Sequence, residues 1–257
     1  LYTRLKFFNM ESIWNDAAVH LWNAVKVTKE PLFMFTRQYL MGDYAIPQSI
    51  TALFYLFTRD VFVAGKIMAL FYSLSGVILI YILGSELRDR LTGLLAAALL
   101  SVNHIFLFYS VRPLADSPML VTTIFLLYVM TKLEKIRTLK WGIISGLAFL
   151  ACMFTKVQSV LFVFALLIYY LIFKRKEMIS HKPTLVSWVI PVVFVLVAHL
   201  GAKILFNADV LNRVFMLFST TRGMPYGLEA LGMLQWIFSW YMVPFVILGV
   251  LLIFLYK

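Results

Sequence analysis

The side chains able to do chemistry in this chain are few and far apart: Asp16, Arg112, Asp116, Lys156 and Arg222, each set among apolar residues or at a turn. Asp16 falls in Ile13-Trp14-Asn15-Asp16-Ala17-Ala18, and a carboxylate that has lost part of its water among Trp and Ala is a stronger general base. The ordinary alternative is an acidic residue at a helix start, complementing the macrodipole. Asp116 closes the turn Arg112-Pro113-Leu114-Ala115-Asp116 and precedes Ser117-Pro118, so its ordinary role is the N-cap of the next helix. Lys156 sits in Thr155-Lys156-Val157-Gln158-Ser159 between two apolar runs, and Arg222 in a turn-like Thr221-Arg222-Gly223-Met224-Pro225. His20, His104, His181 and His199 have no metal-ligand spacing, and no GxGxxG, P-loop or GxSxG pattern occurs.

The elements that must position these groups are set by composition. The 257 residues are 62% hydrophobic and 14% charged, with a mean hydropathy of +0.89, against about 45–50% apolar and about 25% charged in soluble domains. A water-soluble domain is excluded, and a multi-pass membrane protein is expected. The net charge of +11 does not indicate nucleic acid, because the basic residues cluster between apolar spans. The lone Cys152 excludes disulfides and Cys-based metal sites.

A bilayer core of about 30 Å takes about 20 helical residues. Seven runs fit: 61–83, 93–111, 117–133, 141–155, 157–173, 185–206 and 233–255. The stretch 141–173 is read as two short spans in a hairpin, because the polar TKVQS segment interrupts it near the middle. Loops 84–92, 132–140 and 174–182 then share one side and hold ten Lys/Arg, which makes that side cytoplasmic. Residues 1–60, the RPLAD turn, the TKVQS turn and the connection 207–232 fall on the other. The first 60 residues carry six Lys/Arg of their own, a mild conflict at a length where the rule weakens.

Within residues 1–60, Ile13, Trp14, Ala17, Ala18, Leu21, Trp22 and Val25 recur at helical spacing, and a second amphipathic helix follows Pro47. The expected fold is therefore all-α: an external segment 1–60 with two interfacial helices, and a transmembrane helix bundle 61–257 of about seven spans. Asp16 and Asp116 lie on the same, external side, where two acidic groups would suit proton abstraction or binding of a cation or a hydroxyl-rich substrate. A helix over 141–155 rises only about 22 Å, leaving Lys156 below the outer headgroup plane, where an ammonium needs a partner or must snorkel outward. An anionic lipid headgroup or phosphate is the natural partner, shared with Arg112 and Arg222.

The order of these features resembles the GT-C membrane glycosyltransferases, and within them the dolichyl-phosphate-mannose protein mannosyltransferase-like group that includes the aminoarabinose transferases. The resemblance rests on NDAAVHLW, YAIPQSITALFYLF, FLFYSVRPLADSPML and ACMFTKVQSVLF, and covers roughly residues 10–175 in order. It implies that Asp16 is the catalytic acidic residue of the first external loop, Asp116 the second external acidic position, Arg112 the arginine before it, and Lys156 the lysine near the lipid phosphate. Family members often have Asp-Glu where this chain has Asp16-Ala17, and a doubled Pro where it has Pro47-Gln48. That difference leaves the acceptor and any divalent cation open. The family's first transmembrane helix and its later spans are not in this sequence, as expected of a piece of a longer chain.

The activity implied is transfer of a sugar from a polyprenyl-phosphate donor to a protein, lipid or glycan acceptor on the external or lumenal face, with inversion and Asp16 as general base. The setting would be the plasma membrane, or the endoplasmic reticulum in a eukaryote, with membrane lipids and no nucleic acid as partners. A secondary transporter or flippase component is the rival reading, since Asp and Lys in spans also mark ion routes. A catalytically dead scaffold is the third.

Overall fold

The computed structural model describes residues 15–31, 33, 45–156 and 159–206. These all belong to the first of two compact units, 1–210, and the second, 211–257, lies outside the described residues. The described residues form an all-α architecture of ten helices. In chain order they are α1 (Asn15–Lys29), α2 (Ala45–Thr58), α3 (Val61–Leu87), α4 (Arg90–Val102), α5 (His104–Tyr109), α6 (Asp116–Ile136), α7 (Leu139–Met153), α8 (Ser159–Phe173), α9 (Arg175–Ser180) and α10 (Lys182–Phe206).

Short polar residues placed at the breaks set these boundaries. Asp60 caps α3 by accepting from Phe62 N at 2.8 Å and Val63 N at 3.1 Å. Asp89 caps α4 through Thr92 N at 2.7 Å. Backbone donation from Thr92 holds the Asp89 carboxyl below the usual carboxylate range. Asn103 caps α5 through Phe106 N at 2.9 Å, so the expected span 93–111 is two helices with a break at Asn103 rather than one. The apolar pattern continues across that break, which is why hydropathy alone did not reveal it. The stretch 141–173 divides as expected, into α7 and α8, and the two anticipated interfacial helices correspond to α1 and α2.

Two described segments, Val61–Leu87 and Lys182–Gly201, are long and apolar enough to cross a bilayer. The run 233–255 lies outside the described residues. Side chains such as Leu91, Leu95, Leu99 and Val102 on α4, and Val189, Val193, Leu196 and Leu200 on α10, are exposed, as lipid-facing residues would be.

One core joins α6 to α7 and α8: Leu126, Val129, Met130 and Leu133 pack on Ala148, Phe149, Cys152 and Tyr170. A second joins α3 and α6 through Met68, Tyr72 and Val121, with Ile46, Ile50 and Phe54 of α2 laid against it. Glycine permits the closest crossings, the pattern expected where helices associate in an apolar medium. A Cβ on Gly84 would stand 2.8 Å from Gly93 Cα, and one on Gly146 would stand 2.8 Å from Ile190 Cβ.

Candidate active site

The site is built at the end of the bundle where α6 begins and α7 ends. Asp116 is the first residue of α6, and the cap position belongs to Ala115, whose methyl group cannot accept a hydrogen bond. The N-cap role expected of Asp116 is thus corrected: its carboxylate takes a partner from the next hairpin. Lys156 Nζ donates to Asp116 Oδ1 at 2.6 Å. The two side chains are 16% and 28% exposed, so the ammonium neither snorkels freely nor lies fully buried. Its place follows from α7, whose 15 residues rise only about 22 Å. The helix ends in a turn where Thr155 Oγ1 donates to Ala151 O at 2.6 Å, and Lys156 leaves that turn toward α6.

Arg112 lies four residues before Asp116 and is 8% exposed. Its Nη1 donates to Phe108 O at 2.6 Å, and its guanidinium stands 3.2 Å from the Phe108 ring centroid.

The N-terminal helices are held to the same end by three contacts. Ile46 N, in the first turn of α2, donates to Phe154 O of the TKVQS hairpin at 3.1 Å. Gln48, 1% exposed, places its amide 3.2 Å from His20 Nδ1 and so ties α2 to α1. Leu21 of α1 and Pro113 of the RPLAD turn both press on Gly65 of α3, where a Cβ would come within 2.5 Å of Leu21 Cδ2 and 2.7 Å of Pro113 Cβ. Asp16 occupies the first turn of α1, one turn before His20 and just over one turn before Leu21. Its side chain, and Arg222 entirely, lie outside the described residues.

Of the five residues singled out from sequence, the structure therefore brings Asp116 and Lys156 into contact, and Arg112 lies on the same turn as Asp116 with its guanidinium on Phe108. The partner expected for Lys156 is a phosphate, whereas the structure gives it a carboxylate of the chain. One residue was passed over: Lys66, which interrupts the apolar run 61–83. It is buried, with its ammonium 4.4 Å from the Phe62 ring centroid, one residue from the Gly65 contact. A lysine inside a candidate span is itself the signal that marks it. The pairing of His20 with Gln48 carried no such signal, because it joins two helices separated by a loop. Among the described residues no group of three or more His, Cys, Asp or Glu could hold a metal ion.

No curated protein and no solved structure matches the chain. Residues 45–201, more than half the chain, match the family model described as dolichyl-phosphate-mannose-protein mannosyltransferase. That segment runs from the first turn of α2 into α10 and contains Arg112, Asp116 and Lys156. With these apolar helices and a match of that extent, the chain belongs to the dolichyl-phosphate-mannose-protein mannosyltransferase family and is an integral membrane glycosyltransferase of the mannosyltransferase type.

Proposed function

We propose that the chain transfers a sugar from a polyprenyl-phosphate donor to an acceptor at the external or lumenal membrane face, by a single inverting displacement with Asp16 as general base. The observation that carries this reading is the Lys156–Asp116 ion pair, which links the tips of two helical hairpins beside the helix that bears Asp16. A cation at that depth suits a phosphate that cannot leave the lipid surface.

In this reaction the acceptor hydroxyl gives its proton to Asp16 while its oxygen attacks the anomeric carbon. The bond from that carbon to the phosphate oxygen breaks, and the leaving polyprenyl phosphate keeps the electron pair. Lys156 and Arg112 neutralise the growing charge. Donor binding draws the Lys156 ammonium from Asp116 to the phosphate, and the released carboxylate orients the acceptor. On this reading the described bundle crosses the bilayer through α3, α4 with α5, α6, α7, α8 and α10, and the seventh expected run, 233–255, lies outside the described residues.

The test is Asp16→Asn in the full chain, assayed for sugar transfer from a radiolabelled polyprenyl-phosphate donor. Expected is loss of all but a few per cent of transfer with donor binding and expression intact. Retained activity removes Asp16 from the role of base. Movement of labelled substrate across the membrane without a new glycosidic bond would instead support a transporter.

A further inference from the structure

At the end of the bundle away from the Lys156–Asp116 pair, three connections gather the α6–α7 turn, α9 and the start of α10. Lys174 stands 4.0 Å from Glu134 and 3.3 Å from Glu177. Arg137 Nη1 lies 3.1 Å from His181 Nε2, with Arg137 also 3.7 Å from Glu177. Gly142 of α7 is pressed against Pro183 of α10, so close that a Cβ there would overlap the Pro183 carbonyl. Glu134 also accepts from Tyr170 OH at 2.8 Å. Both carboxylates of this cluster are thus already engaged, and both belong to the protein's own fastening.

Four cations of these same segments are left over. Lys140, Arg175, Lys176 and Lys182 are all exposed, and among the described residues none has a carboxylate within ion-pair distance. A solvated basic face would be interleaved with polar residues. Here the interleaved side chains are apolar and bare: Phe173 is 72% exposed and Ile179 is 64% exposed. Exposed aromatic and aliphatic groups beside unpaired cations describe a segment lying at headgroup depth, its apolar side chains in the acyl region and its ammonium and guanidinium groups level with phosphates.

We infer that the α6–α7 turn, α9 and the start of α10 form a binding site for the headgroup of an anionic phospholipid, held by Lys140, Arg175, Lys176 and Lys182. Each such cation near a charged bilayer surface strengthens binding by about fivefold at moderate salt. The site lies one helix length from the candidate active site, so its ligand is a structural lipid rather than the sugar donor.

The experiment uses the full chain reconstituted in nanodiscs of phosphatidylcholine containing phosphatidylglycerol, with bound lipid counted by native mass spectrometry after detergent release. Expected is retention of phosphatidylglycerol over phosphatidylcholine by at least about tenfold, abolished in the variant Lys140→Gln, Arg175→Gln, Lys176→Gln, Lys182→Gln. The charge-conserving variant Lys140→Arg, Arg175→Lys, Lys176→Arg, Lys182→Arg should retain the lipid. A control, Arg88→Gln with Arg90→Gln, removes cations from the neighbouring α3–α4 turn and should change nothing. Equal retention of both lipids by the wild type, undiminished retention by the fourfold variant, or equal loss in the control would each overturn the site. If the fourfold variant does not fold, the pairs Lys140→Gln with Lys182→Gln and Arg175→Gln with Lys176→Gln are read in its place. Glycosyl transfer is not the readout, so failure here leaves the proposed reaction untouched.

Discussion

Substituting Gly65 with alanine tests whether the helix carrying Asp16 and the turn carrying Arg112 and Asp116 are seated on one spot. The new methyl would meet Leu21 Cδ2 at 2.5 Å and Pro113 Cβ at 2.7 Å, where ordinary contact begins at 3.4 Å. Leu21 presents the far end of a flexible side chain and can swing aside. Pro113 presents a ring fixed to the backbone of the RPLAD turn, so the turn itself must retreat by about 0.7 Å. Misplacement of catalytic groups by about 1 Å costs up to about 100-fold in rate, and the expected loss in single-turnover transfer is therefore about 10- to 100-fold. Overpacking also costs about 1–3 kcal/mol of stability, which must be separated from the catalytic effect. Gly84→Ala provides that separation, because its methyl would meet the Gly93 backbone at 2.8 Å, about 28 Å along the same helix. It should lower the thermal midpoint without changing the single-turnover rate of the folded fraction. A Gly65→Ala enzyme within twofold of wild type, or equal rate losses in both variants, would refute the shared seat.

Three other outcomes follow from the geometry. Lys156→Met and Asp116→Asn each strand one member of a partly exposed ion pair, costing about 1–3 kcal/mol, below the 3–5 kcal/mol of a fully buried pair. The double variant should be less destabilised than the sum of the two, as a double-mutant cycle on thermal midpoints will read. Asp89→Ala removes the cap of α4 and lowers the midpoint at neutral pH. Because the folded Asp89 carboxyl titrates below its unfolded value, the cap's contribution is present above the unfolded pKa and is lost as pH falls through the folded one. The difference between wild type and Asp89→Ala should therefore shrink on acidification, and a constant difference would exclude the cap. Lys174, raised above its ordinary value chiefly by Glu134, behaves in the opposite sense. Its contribution is complete below the unfolded pKa and fades as pH rises through the folded one, so Lys174→Met should converge with wild type in alkaline thermal scans.

Much of the helical layout was legible because its signals are local. Asp60, Asp89 and the TKVQS interruption each act within a few residues, and helix starts and stops respond to groups at that range. Asn103 acts at the same range but lies between two apolar runs, and hydropathy averages over it. Asp116 and Lys156 stood out in the sequence as residue types, but not as a contact. Nothing in RPLADS says that its aspartate will decline the cap and take a lysine 40 positions on. Nor does YAIPQ announce that Ile46 will donate to the carbonyl of Phe154. Such pairings depend on how two hairpins settle against one another, which is a property of packing rather than of spacing. Lys66 is the reverse case, a local signal hidden by the length of the apolar run around it.

The 40 residues between Asp116 and Lys156 also separate their births. A ribosome adding about 5–20 residues per second delivers the lysine about 2–8 s after the aspartate, and α6 meets the insertion machinery with its carboxylate unaccompanied. Until the following hairpin is threaded, that first turn must stay near water or be shielded by an insertase, so the order of synthesis obliges the chain to close this ion pair late.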